Sequence, residues 1–64
     1  MNVLVEGYLT PEELAARYKI AQRTLANWRV MGRGPKYLKA GYVILYPIHE
    51  VEEWERKNMK RSTA

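Results

Sequence analysis

The segment IAQRTLANWR, residues 20–29, carries a concentrated set of polar groups that could recognise a partner. Gln22 and Asn27 each present an amide that donates and accepts hydrogen bonds, Arg23 presents a planar fork of donors, and the segment contains no acidic residue. These groups suit planar, acceptor-rich surfaces, because a guanidinium can bridge O6 and N7 of guanine and an amide can pair with adenine. The segment therefore indicates a binding surface.

Helical periodicity divides this segment into two faces. Leu25 and Trp28 are three residues apart and share a side with Ile20 and Ala21, so they predict a buried stripe. The opposite face carries Gln22, Arg23, Ala26, Asn27 and Val30. An apolar seam would hold the segment against the rest of the chain and leave the polar face to a partner.

The charges of the chain are unevenly distributed. The net charge is +4, but the acidic residues all lie toward the two ends, and none lies between Arg17 and Tyr42. Because solvated surfaces usually mix both signs, a block of one sign predicts a polyanionic partner, and double-stranded nucleic acid is the commonest. An anionic membrane is the rival, but the block lacks a helix with a continuous apolar face and Lys-rich flanks. The basic residues of this block are Arg17, Lys19, Arg23, Arg29, Arg33, Lys36 and Lys39.

Length and composition exclude several other classes of protein. A chain of 64 residues is a single small domain with a thin core, and the absence of cysteine excludes disulfides and a Cys-based zinc site. The opening MNVLVEG is too short and wrongly charged for a secretory signal, and no apolar run approaches the roughly 20 residues of a membrane span. We therefore expect a cytoplasmic location.

The residues do not suggest an enzyme. His49 is the single histidine, and its place in the first turn of a predicted helix favours a capping or surface role. A two-carboxylate mechanism needs a cleft, which so small a chain scarcely forms, and the helix dipole explains the acidic residues near the start of that helix. Those residues are Glu50, Glu52, Glu53 and Glu55. We predict no catalytic residue, no metal ligand and no cofactor.

Two short helices joined by a tight turn are predicted in the first half of the chain. TPEE is a capping box in which Thr10 is the N-cap and Glu13 reaches back to its amide, so the first helix should run from Pro11 to about Tyr18. The second should run from about Ala21 to Val30, where MGRGP stops it. This pairing is typical of a helix-turn-helix, whose second helix enters the major groove.

A β-hairpin and a third helix are predicted in the second half. KYLKAGYVILYP consists of two short runs rich in Tyr, Val, Ile and Leu, separated by Ala40 and Gly41. Pro47 then opens a helix that continues to about Asn58, with Ile48, Val51 and Trp54 facing inward. The predicted fold is mainly α with a small β-hairpin: a winged helix-turn-helix of three helices and a two-stranded wing. The domain spans residues 8–58, between an N-terminal segment (1–7) and a flexible basic tail (59–64).

The chain resembles the excisionase-type, MerR-like winged helix-turn-helix family. The resemblance rests on YLTPEELAARY, RTLANWR, GRGPKYLK and a tyrosine before EVEEW, and it covers about four fifths of the chain. It implies a DNA-binding protein that acts as a recombination directionality factor, bends attachment-site DNA and helps a tyrosine-type integrase to excise a prophage or integrative element. Some relatives are transcriptional regulators instead, and the residues do not separate the two roles.

The chain departs from this family at two places. Relatives usually have glycine in the turn and serine at the N-cap of the second helix, whereas this chain has Lys19 and Ala21 at these positions. We therefore expect strain at Lys19 if the turn needs a positive φ. We also expect the second helix to lack a side-chain cap. If Ile44 and Tyr46 point inward together with Tyr42, alternation sends Val43 and Leu45 outward. We predict that Val43 and Leu45 bind a neighbouring copy or the integrase, unless the third helix or the N-terminal VLV covers them.

Each predicted site residue has an assigned role. Arg23 is the main base reader, and Gln22 and Asn27 serve adenine or a phosphate. Contacts to phosphate or from the wing are expected of Arg17, Lys19, Thr24, Arg29, Arg33, Lys36, Lys39, Gly41 and Tyr42. Tyr42 could instead lie in the core.

A protein-interaction module is the alternative that does not bind DNA. Such a module would use the VILY strand and the helix of Trp54 to hold an acidic partner. The two interpretations differ in the response to salt that they predict, because only binding to nucleic acid should weaken steeply as salt rises.

Overall fold

The computed structural model describes residues 7–61 and contains three helices and three short strands. The predicted fold of three helices with a small β-hairpin is confirmed. The elements in chain order are β1 (Tyr8–Leu9), α1 (Pro11–Tyr18), α2 (Gln22–Met31), β2 (Leu38–Ala40), β3 (Val43–Pro47) and α3 (Ile48–Asn58).

Helix α1 begins at the predicted capping box. The Glu13 amide donates to Oγ1 of Thr10 at 3.1 Å, and the Thr10 amide donates to Oε1 of Glu13 at 2.9 Å. The helix ends at Lys19, whose φ of 59° and ψ of 44° are left-handed. The Lys19 amide donates to the Ala16 carbonyl and the Ile20 amide to the Ala15 carbonyl, which is a Schellman motif with lysine where glycine is usual. The turn does need a positive φ at Lys19, which is the condition under which strain was expected there.

Helix α2 begins without a side-chain cap, as predicted. Its N-cap, Ala21, has extended backbone angles and forms no capping hydrogen bond from its side chain. Ala21 is exposed, so its assignment to the buried stripe was wrong: an N-cap residue lies outside the helical periodicity that placed it there. The helix ends at Gly32, which has a φ of 70°, and the Arg33 amide donates to the Trp28 carbonyl at 2.7 Å.

The strands form one antiparallel sheet in the order β1-β3-β2. The wing hairpin pairs Leu38 with Leu45 and Ala40 with Val43, so its two-residue loop is Gly41–Tyr42 and not Ala40–Gly41. The loop is shifted because Gly41, with a φ of 63°, takes its first position, where a type II′ turn requires positive φ. Strand β1 was not predicted; it pairs with the other edge of β3, where Leu9 lies opposite Tyr46.

The core lies where α1, α2 and α3 meet the inner face of β3. Its buried hydrophobic side chains are Leu14, Ala15, Leu25, Tyr46 and Val51. An aromatic cluster closes one side: the ring of Trp54 lies 5.5 Å from that of Trp28 and 5.7 Å from that of Tyr18, between centroids. Residues 3–5, the VLV segment considered as a cover for Val43 and Leu45, lie outside the described residues, and so do residues 62–64 of the predicted tail.

Candidate nucleic-acid interface

The outward face of α2 is open to solvent. Gln22, Arg23 and Asn27 are exposed, whereas Leu25 is completely buried and Trp28 packs against the core. Thr24 is half-buried on the flank of the helix. The apolar seam therefore fixes α2 while all three predicted base readers remain available to a partner.

The hairpin is tied to α2 through Arg29. The Nη1 atom of Arg29 donates to the hydroxyl of Tyr46 at 2.8 Å, and the guanidinium lies 5.7 Å from the centre of the Tyr37 ring. The Tyr37 and Tyr46 rings are themselves 6.0 Å apart. Because Tyr46 belongs to β3, these contacts set the position of the wing relative to the outward face of α2. The sequence predicted Arg29 as a phosphate ligand and missed this structural contact.

A concave surface that encloses a volume of about 620 Å³ lies between α2 and the hairpin. Its walls bring together several residues that are distant in sequence. They are Ala26, Arg29 and Val30 from α2, Tyr37 beside the hairpin, and Lys39, Gly41, Tyr42 and Ile44 from the hairpin. The predicted wing residues Lys39, Gly41 and Tyr42 therefore share one surface with the helix predicted to read bases. A second concave surface adjoins it through Arg29 and Tyr37 and carries Arg33 and Lys36.

Tyr42 lies at the tip of the wing, fully exposed. The inward orientation and the possible core role predicted for it were wrong. The prediction extended the alternation of Ile44 and Tyr46 by one more step, but alternation holds only within a strand, and Tyr42 belongs to the loop. Ile44 and Tyr46 do face inward, as predicted.

Most cations of the basic block form no salt bridge with a described acid. Within residues 7–61, salt bridges join Arg17 to Glu55, His49 to Glu50, and Glu53 to Arg56 and Lys57. The remaining basic residues of the block, which form no salt bridge with a described acid, are Lys19, Arg23, Arg29, Arg33, Lys36 and Lys39. The concave surface between α2 and the hairpin, which includes Arg29 and Lys39, has no acidic residue in its walls, whereas Lys36 also lines a surface that contains Glu50 and Glu53.

Arg17 is the exception among the predicted phosphate ligands. Its Nε and Nη2 atoms donate to the Glu55 carboxylate at 2.7 and 3.0 Å, and the Tyr18 hydroxyl donates to the same carboxylate at 2.8 Å. The hydrogen bond from Arg17 is the main cause that lowers the pKa of Glu55, and the same bond raises the pKa of Arg17. Burial, followed by the bond to Glu55, raises the pKa of Tyr18. A phosphate would have to compete with Glu55 for Arg17.

The outer face of the sheet is apolar. Val43 is 52% exposed and Leu45 half-buried, while Leu38, opposite Leu45, is 44% exposed. The predicted outward direction of Val43 and Leu45 agrees with this arrangement. Among residues 7–61, none covers Val43 completely, whereas Leu45 on the same face is partly covered.

Other kinds of site are not evident in the described part of the chain. No group of three or more acidic or histidine side chains among residues 7–61 is arranged to hold a metal ion. His49 is exposed, and its Nε2 atom lies 3.6 Å from Oε2 of Glu50. None of the helices in that range has the length and apolarity to cross a membrane.

Comparison with known proteins agrees with this geometry. The family model described as a helix-turn-helix domain matches residues 8–59, while no curated protein matches the chain. The matched range runs from β1 to just beyond α3 and includes the exposed face of α2 and the wing. A domain of this kind implies sequence-specific DNA binding, and the family includes excisionase-like DNA-binding domains. With four fifths of its length matched, the chain belongs to the helix-turn-helix domain family.

Proposed function

We propose that the protein binds duplex DNA as an excisionase-type factor, with α2 in the major groove and the wing on the adjacent backbone. The observation that carries this proposal is the exposed cationic surface in which α2 and the hairpin meet without a neutralising acid among residues 7–61. Arg23 reads a guanine, and Gln22 and Asn27 contact adenine or a phosphate. Thr24 lies beside them on the flank of the helix.

The remaining basic residues hold phosphates and fix the register of the protein on DNA. Lys39, Gly41 and Tyr42 approach the backbone or the minor groove from the wing, while Arg33 and Lys36 act beside the end of α2. Arg17 contributes to this set only if a phosphate displaces Glu55. Arg29 orients the wing through Tyr46 and can still present one side of its guanidinium to DNA.

Salt dependence tests the binding mode. A preferred duplex is first selected from a random pool, and its affinity is then measured at several salt concentrations beside that of an unrelated duplex. Each phosphate contact contributes about −0.9 to the slope of log K against log salt, so the five unpaired cations other than the base reader Arg23 give a slope of up to about −4.5. A flat salt response, together with tight binding to a protein partner, would identify a protein-interaction module and refute the proposal.

Base reading is separated from phosphate contact by two substitutions. Arg23→Ala should weaken binding to the selected duplex by about 1–3 kcal/mol and relax the preference at one position. Lys39→Ala should weaken binding to all duplexes alike and reduce the salt slope by about 0.9. If Arg23→Ala behaves in the same way as Lys39→Ala, Arg23 does not read a base.

The excisionase role requires more than binding. We propose that the protein bends attachment-site DNA so that a tyrosine-type integrase favours excision, as the resemblance in YLTPEELAARY, RTLANWR and GRGPKYLK suggests. A transcriptional regulator would use the same α2 and wing, and that role is the alternative. Purified protein should bend its selected duplex in a gel-mobility assay and stimulate excision by an integrase encoded nearby. A protein that represses or activates a neighbouring promoter, and has no effect on excision, is a regulator.

We further propose that copies assemble on DNA through Val43 and Leu45. Their apolar face, extended by Leu38, is on the outer side of the sheet, away from the inner face that packs on the helices. Changing Val43 and Leu45 together to serine should abolish cooperative binding to duplexes with repeated sites and leave binding to a single site intact. Unchanged cooperativity would exclude this surface. Met59→Ser, at an exposed apolar side chain outside the sheet, is the control.

A further inference from the structure

The outward face of α2 changes character along its length. Its first two turns present Arg23 and Asn27, but the last turn presents Val30, whose side chain is 87% exposed. Helical spacing places positions 23, 26, 27 and 30 on one side, so half-buried Ala26 lies between the polar groups and Val30. A branched apolar side chain therefore continues the face that carries the predicted base readers.

The surroundings of Val30 favour DNA as its occupant. Val30 lines the concave surface between α2 and the hairpin, together with the cationic residues Arg29 and Lys39. Neither cation forms a salt bridge with a described acid, so a polyanion complements the rim of this surface. The apolar group that a polyanionic duplex presents in its major groove is the C5-methyl group of thymine.

We infer that Val30, supported by Ala26, packs against a thymine methyl group and thereby selects a T·A pair in the target. This inference rests on the proposed placement of α2 in the major groove. Arg23 and Val30 are seven residues apart, which corresponds to about 10 Å along a helix and to about three base-pair steps or fewer. The selected site should therefore contain a thymine within about three pairs of the guanine read by Arg23.

Replacement of thymine by deoxyuridine tests the contact, because it removes only the methyl group. In the selected duplex, one such replacement near the Arg23 guanine should weaken wild-type binding about fourfold, the ratio that corresponds to burial of one methyl-sized group. Val30→Ala should bind the thymine duplex more weakly and bind both duplexes equally. Met59→Ala, which also truncates an exposed apolar side chain, should keep the fourfold ratio.

Each other outcome overturns the inference in a recognisable way. If wild-type binding does not change on removal of any methyl group, or if Val30→Ala retains the sensitivity, Val30 reads no thymine, although salt-dependent duplex binding would leave the proposed function in place. A selected site without thymine in that interval would also overturn the inference. If the protein binds no duplex at all, the proposed function and this inference fail together. Val30→Ala should unfold like the wild type, since its side chain is exposed, so a folding defect does not mimic the result.

Discussion

Gly34 lies directly against the Trp28 ring. A Cβ atom built at Gly34 would be 2.8 Å from Cε3 of Trp28, and the Gly34 φ of 84° is left-handed. The loop after α2 thus crosses the indole closely enough to exclude any side chain, and it carries the chain from the end of α2 toward the wing. This contact gives a physical reason for the glycine at position 34.

Gly34→Ala should destabilise the protein by about 2 kcal/mol or more, since it adds a steric clash to an unfavourable φ. Gly32 is the matched control: its φ is 70°, but a Cβ atom there meets nothing within 4 Å. Gly32→Ala should therefore lower the free energy of unfolding only through the unfavourable left-handed backbone, by about 1–2 kcal/mol. Urea unfolding followed by tryptophan fluorescence measures both. Equal losses of stability in the two variants would mean that the Trp28 indole moves away from the added methyl group without an energetic cost.

The hydrogen bond from Arg29 to Tyr46 should stabilise the wing. Tyr46→Phe removes the buried hydroxyl that accepts a hydrogen bond from the charged guanidinium of Arg29. We therefore expect a loss of about 1–2 kcal/mol in the free energy of unfolding. Tyr37→Phe is the control, because no hydrogen bond of the Tyr37 hydroxyl is found within residues 7–61. A double-mutant cycle with Arg29→Met should give a coupling of at least about 0.5 kcal/mol, and a coupling near zero would contradict this role.

Glu55 should make stability depend on pH. Its pKa is lowered in the folded protein, chiefly by the bond from Arg17, so its contribution is complete above the pKa of the unfolded chain, about 4.3, and is lost as pH falls through the lower folded value. Glu55→Gln should be less stable than the wild type by about 1 kcal/mol at neutral pH, a modest value because the pair is partly exposed. The difference should shrink as the pH falls below about 4.

Urea unfolding at a series of pH values measures this difference. Glu52→Gln is the control, because Glu52 forms no salt bridge with a described residue, and its small difference from the wild type should not follow the same course. A Glu55→Gln difference that is constant with pH would show that the carboxylate charge contributes nothing.

Lys19 combines a structural cost with a predicted phosphate contact, and two substitutions separate them. Lys19→Gly relieves the left-handed conformation and should stabilise the protein by about 1 kcal/mol, whereas Lys19→Ala retains the strain and should not. Both remove the charge, so both should reduce the salt slope of duplex binding by about 0.9. If the slope does not change in either variant, Lys19 contacts no phosphate.

The sequence by itself determined the local features of this protein. The capping box of Thr10 and Glu13 and the missing cap at Ala21 were predictable because each depends on groups within a few residues of one another, whereas strain at Lys19 was predicted only on the condition that the turn needs a positive φ. The sides of α2 and the inward direction of Ile44 and Tyr46 followed in the same way, since the helical and strand periods fix which positions share a face.

Only the tertiary structure decided how distant groups meet. Arg17 lies 38 residues from Glu55 in the chain and Arg29 lies 17 residues from Tyr46, so neither contact could be inferred from spacing. Strand β1 was missed because its two residues carry no periodic signal and are ordered by pairing with β3. The exposure of Tyr42 follows from the register of the hairpin, which places it in the loop, and the concave surface lined by Val30 depends on the angle between α2 and the hairpin. Packing of the core sets that angle, because side chains from separate elements must fill one shared volume, and no short stretch of sequence specifies that volume alone.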